Sequence, residues 1–251
     1  MSNSPPLEIK VWGDFACFTR PEFGVERVSY EVMTPSAARG VLSAIFWKPE
    51  FDWCIQEIQV LPSVIRDIAG KPLEPEKNTP AFQHFSILRN EINTRQSDRV
   101  ARSWTKEGDG YYADEDRAQR HTLALRDVAY IIKAQICLKA HANAHINKYI
   151  EQFTRRVKRG QCHHQPYFGT REFSAYFSPP DSEKPVQINM DLGLMLFDLE
   201  FLNSQNGAIE YFAHDENGAR VVKGNAQPKF FQANLEQGIM KIPAALYGSR
   251  R

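Results

Sequence analysis

Two helical patterns, each set between β-rich stretches, restrict this chain more than any other feature. The first covers residues 34–49 (TPSAARGVLSAIFWKP): Thr-Pro-Ser is a capping start and Pro49 a stop. Its small residues let one side lie close against a sheet, with Arg39 on the exposed side. The second is capped by Asn143 or Asn147 and runs to about Arg159, where Gly160 ends it. Arg155, Arg156, Lys158 and Arg159 suit the negative end of that helix's dipole. Strand patterns of mostly period two occupy residues 7–18, 53–61, 122–138 and 167–177, with another at 82–92. With residues 66–120 left out as an insertion, the order is strand, helix, strand, strand, helix, strand. That is the ferredoxin-like order of an α+β chain.

The insertion is rich in Gly, Pro and charge. Its second half, residues 94–120, carries Arg95, Arg99, Arg102, Lys106, Arg117 and Arg120 among acids, the pattern of a mobile, solvated segment. Pro179, Pro180 and Pro185 mark a joint. Beyond it, residues 189–202, 208–213 and 219–222 read as strands of a small antiparallel sheet, with Glu216-Asn217-Gly218 as its tightest turn. Two domains follow: 1–178, containing the insertion, and 179–251.

The 251 residues are 42% hydrophobic and 12% aromatic, enough for a real core, and the net charge of +1 hides local clusters of basic residues. Cys17, Cys54, Cys137 and Cys162 form no C-x-x-C pair, and three lie in apolar runs. They read as reduced core thiols of a cytoplasmic protein. Nothing resembles a signal segment or a membrane span, so no membrane partner is expected.

Phe46-Trp47-Lys48 places stacking surface beside positive charge, which suits single-stranded nucleic acid. An amphipathic core helix with a snorkelling lysine explains the same residues. Three longer segments narrow the choice. Residues 11–22 (VWGDFACFTRPE), 34–49 and 160–173 (GQCHHQPYFGTREF) resemble the CRISPR-associated ribonuclease of type I-C systems, in the Cas-five group, subtype d (also called c), of the RAMP superfamily. The likeness covers nearly the whole chain. It implies a ferredoxin-like RNA-binding domain with a small C-terminal sheet, and cofactor-free, metal-independent cleavage of precursor CRISPR RNA at each repeat hairpin. It also implies retention of the 5′ handle inside a surveillance complex, beside a backbone subunit and a large subunit.

Such cleavage uses the ribose 2′-hydroxyl as nucleophile. It needs a proton acceptor, a cation near the phosphorane and a donor to the leaving oxygen. The family assigns a tyrosine in the first helix and a Lys-His pair at the mouth of the second. Here the tyrosine position is Phe46, without a hydroxyl, and the pair is Lys148-Tyr149; a register one residue earlier gives Asn147-Lys148. Tyr149 titrates ordinarily near ~10, so it acts more readily as donor or relay than as base. It is equally readable as a half-buried helix tyrosine. His145 is a substitute base or a capping histidine, and its spacing to His141 also suggests a metal pair. Arg39, Trp47, Lys48, Arg120, His121, Arg155, Arg156, Lys158, His163, His164 and Arg171 are the candidate RNA contacts. No metal site is expected, since Cys162-His163-His164 lacks a second cluster at ligand spacing. A non-catalytic subunit capping the 5′ handle is the alternative function. Binding of duplex DNA through the same basic surface is compatible with either.

Overall fold

The computed structural model describes residues 3–23, 26–62, 84–91, 118–216 and 218–250. β1 (Leu7–Ala16) alternates as its sequence predicts: Ile9, Val11 and Gly13 are buried, while Glu8 and Asp14 are exposed and Lys10 and Trp12 only half-buried. It pairs antiparallel with β5 (Ala118–Leu138) on one side and β6 (Tyr176–Ser178) on the other. β5 pairs antiparallel with β3 (Phe51–Val60), giving the order β6-β1-β5-β3. The helix α1 (Pro35–Ile45) links β1 to β3, and α2 (Ile146–Arg159) links β5 to β6. The two helices touch each other as well as the sheet, so both cover one face. β2 (Arg27–Val28) and β4 (His84–Glu91) pair with the first half of β5, beyond this four-strand arrangement.

Each helix follows from its sequence, with shifts at the ends. Thr34 caps α1 by accepting the Ala37 amide at 3.3 Å, and Pro35 needs no amide partner there. Ala38, Val41, Leu42 and Ile45 form its buried stripe. The helix ends at Ile45, earlier than Pro49 alone suggests, because Phe46 turns extended (φ −152°) and buries its ring. On α2, Ile146, Tyr149, Phe153 and Val157 recur at helical spacing and are all buried. Gly160 takes the left-handed cap (φ 62°) expected of it. The N-cap is neither asparagine: His145 holds that place, its ring Nδ1 accepting the Asn147 amide at 3.3 Å.

Two expectations are corrected. The strand over residues 167–177 shrinks to β6, because Gly169 (φ 81°) turns the chain back. Around it the Phe168 amide donates to Phe173 (2.8 Å) and the Cys17 amide donates to Phe168 (3.0 Å). Cys54 and Cys137 are not separate thiols but a disulfide between β3 and β5. The strands expected over residues 189–222 are present and extend further. β7 (Met190–Asn203), β8 (Ile209–Asp215) and β9 (Gly218–Glu236) form the C-terminal sheet, and β10 (Ile239–Lys241) pairs with both β9 and β3, joining it edge to edge with the first sheet. The strands at 82–92 and 122–138 appear as β4 and β5. Most of the insertion, residues 63–83 and 92–117, lies outside the described residues, as does its expected mobility.

Between the sheets, residues 179–189 cross the outer face of the first. Lys10 on β1 holds Asp181 and Glu183 there, each at 2.7 Å, and the Val186 amide donates to Val60 at 2.9 Å on the far edge. That face is therefore strapped, while the opposite one carries the helices. No described helix is long and apolar enough to cross a membrane.

Candidate active site

The turn that follows α1 and the loop leading into α2 meet. Lys139 donates its amide to the Glu50 carbonyl (2.9 Å), and His141 Nε2 lies 3.2 Å from the Pro49 carbonyl. From the far end of α2, Arg156 donates to the Ile45 carbonyl at 2.6 Å, its guanidinium 5.2 Å from the Phe46 ring. The His163 amide donates to the Ala44 carbonyl at 2.8 Å. Arg156 and the His163 amide serve carbonyls that the end of α1 leaves without intrahelical partners. Arg156 and the His163 backbone thus have structural partners; both imidazoles, His163 and His164, stay exposed, their rings 5.7 Å apart.

Beneath this junction lies an aromatic floor. Phe46 is 1% exposed and packs on Phe51 (5.5 Å between centroids). Phe51 packs on Tyr149 (5.4 Å), which is 3% exposed. The missing hydroxyl at Phe46 is therefore no gap in an open site, since the ring is core. Tyr149 is no proton acceptor either. Burial first, and the Glu50 carboxylate second, push its phenol above the ordinary tyrosine range, although the Ala144 amide pulls the other way.

What remains open above the floor is cationic. Lys48 and Lys148 are exposed, and Lys148 has no ion-pair partner among the described residues. Trp47 is 44% exposed, its ring 5.4 Å from His214 on β8 in an edge-on contact. Arg155, Lys158 and Arg159 extend the basic surface along α2, around a shallow depression of 430 Å³. Arg39 is not free on its helix: Nε and Nη2 donate to the two Asp198 oxygens on β7 at 2.8 and 2.9 Å. That fork clasps the C-terminal sheet to α1 and leaves no second carboxylate-like ligand its geometry. His121 is exposed, its Nδ1 3.2 Å from the Ser86 hydroxyl. Arg120 faces Arg89 in the β4–β5 register, its side chain outside the described residues. Arg171 is exposed on the loop after Gly169. Among the described residues no three His, Cys, Asp or Glu side chains are grouped to hold a metal ion.

A second cavity, of 280 Å³, opens between the start of α1 and this loop, lined by Thr19, Ser36, His164, Tyr167 and Gly169 among others. Gly169 is indispensable to its shape, because a β-carbon there would run into the Cys17 carbonyl and its φ is left-handed. Gly169→Ala is expected to cost about 2 kcal/mol or more, read as a lower urea midpoint at unchanged slope.

Sequence reasoning missed Asp198 and His214, which reach Arg39 and Trp47 only through pairings 159 and 167 positions apart in the chain. Neither carries a local signal.

A family model described as "CRISPR-associated protein (Cas_Cas5)" matches residues 6–243. The chain belongs to this family. It is 46% identical over 242 residues to a protein of Thermus thermophilus named CRISPR pre-crRNA endoribonuclease Cas5d, covering 96% of this chain and 93% of that one. A Mannheimia succiniciproducens protein of the same name is 38% identical over 251 residues, covering 94% of each. A crystal structure of a CRISPR-associated protein shares the fold at a TM-score of 0.60 and 18% identity, covering 97% of this chain and 94% of that one.

Proposed function

We propose that this Cas5 family member is an endoribonuclease that cuts precursor CRISPR RNA at the repeat hairpin without a metal ion. The observation carrying the reading is the exposed Lys148 at the mouth of α2, without an ion-pair partner among the described residues, in a chain 46% identical to a named pre-crRNA endoribonuclease. The ribose 2′-oxygen attacks phosphorus and the bond to the 5′-oxygen breaks, leaving a 2′,3′-cyclic phosphate. The Lys148 ammonium neutralises the phosphorane and gives a proton to the departing oxygen. Lys48, Arg155 and Lys158 hold backbone phosphates, and Trp47 offers its open face to a base. Phe46 and Tyr149 form the floor and do not exchange protons.

The β6-β1-β5-β3 order, with both crossover helices on one face, supports a ferredoxin-like RAMP core over residues 1–178, with 179–251 as a C-terminal sheet domain. After cleavage the protein stays on the 5′ handle beside the backbone and large subunits of a type I-C complex, in the cytoplasm. One observation favours a second reading, a non-catalytic handle-capping subunit: two family positions for catalytic groups, Phe46 and Tyr149, are buried.

Repeat RNA incubated with the protein in excess chelator is expected to be cut once, leaving a cyclic phosphate. The same RNA with a single 2′-deoxy sugar at the cut is expected to stay intact. Tight binding of uncut RNA in both cases means the capping subunit, and cutting of the deoxy substrate rules out the internal nucleophile.

A further inference from the structure

The attack on phosphorus needs a group that takes the 2′-hydroxyl proton, and the family's tyrosine and histidine positions supply none here. Two imidazoles stand in the loop between β5 and α2, and their hydrogen bonds differ in sense. A backbone amide only donates, so His145, accepting from Asn147, has its Nδ1 lone pair occupied and carries its proton on Nε2. A carbonyl only accepts, so His141 donates from Nε2 to Pro49, and its proton sits there. In the neutral ring Nδ1 of His141 is then the acceptor, and it has no hydrogen-bond partner among the described residues. The residue is half-buried.

Its location agrees with the role. The Pro49 carbonyl that fixes the ring follows Lys48 directly, and the Lys139 amide bonded to Glu50 ties the same loop to the same turn. Five residues after His141, α2 begins and presents Lys148. A base oriented through its other nitrogen by a fixed acceptor is the arrangement nucleophile activation calls for.

Resting on the ribonuclease reading above, we propose that His141 is the general base: its Nδ1, held in the accepting tautomer by the Pro49 carbonyl, removes the 2′-hydroxyl proton. The 2′-oxygen bonds to phosphorus, the 5′-oxygen leaves with a proton from Lys148, and solvent returns both groups to their starting state. His145 keeps the structural task of capping α2.

The test is single-turnover cleavage of repeat RNA by the full chain. His141→Gln retains an amide donor for Pro49 and lacks the base; its rate is expected to fall about 10²–10⁴-fold with RNA affinity unchanged. His141→Ala is expected to recover part of its rate with free imidazole. His145→Asn preserves the cap and is expected to cleave within a few fold of the parent. A bridging 5′-sulfur in the RNA, which leaves without a proton, is expected to restore Lys148→Ala but neither His141 variant. His141→Gln cleaving at the parental rate, or His145→Asn losing as much as His141→Gln, overturns the assignment. Should the parent protein cut neither RNA, the ribonuclease reading itself falls and takes this one with it.

Discussion

Lys148→Ala is expected to slow cleavage of repeat RNA by about 10²–10³-fold while leaving the protein folded and RNA affinity within a few fold. The lysine is exposed and has no ion pair among the described residues, so folding gains little from it; surface changes of this kind usually stay within about 0.5 kcal/mol. Its value comes when charge builds on the phosphorane, a state in which an ammonium at the mouth of α2 has a partner it lacks in the resting protein. Lys158→Ala gives the contrast. It lies on the depression along α2 and touches nothing that reacts, so its loss is expected to weaken binding and lower the salt dependence by about one phosphate contact, with the cleavage rate at saturation unchanged. Single-turnover rates at saturating protein, together with filter binding across a salt series, separate the two. Equal effects of both variants on the rate remove Lys148 from the chemistry.

How much of this was legible in the residues depended on how local the cause was. Thr34-Pro35 and Gly160 carry their own backbone requirements, so one end of each helix could be read within a turn. The period-two runs of β1 and β3 announce their buried faces directly. Asparagine is the better cap by type, so Asn143 and Asn147 are the caps the sequence suggests for α2. The structure uses His145, whose ring nitrogen reaches the Asn147 amide equally well. Tyr167 to Phe177 looked like a strand because its aromatics alternate, but a glycine at φ 81° overrides alternation. The site was harder to read, since exposure is a tertiary property. Nothing near Arg39 in the chain reveals that Asp198 takes its guanidinium, and nothing near Tyr149 says that Phe51 covers its ring. Basic residues of similar local appearance were sorted only by packing: Arg39 and Arg156 into structural bonds, Lys48, Lys148, Arg155 and Lys158 into solvent.

Tyr149→Ala is expected to destabilise the fold by about 3–5 kcal/mol, the cost of emptying a buried aromatic site. Tyr149→Phe is expected to keep both the stability and the cleavage rate within a few fold of the parent. The ring seals the joint between α2 and the start of β3, packed on Phe51, which itself packs on Phe46 and Trp53. Its hydroxyl supplies no phenolate base near neutral pH, because burial and Glu50 keep the phenol protonated beyond its ordinary range. The same shift has a sign in stability. The folded form holds that proton more tightly than the unfolded chain, so the contribution is full below the ordinary tyrosine pKa of ~10 and is lost as pH rises past it. Tyr130, wholly buried and also shifted upward by burial, adds to the same alkaline loss. Urea melts between pH 8 and pH 11 are therefore expected to show a falling limb in the parent that is shallower, though not flat, in Tyr149→Phe. A folded Tyr149→Phe protein that no longer cuts RNA returns the hydroxyl to the reaction and contradicts its placement in the floor.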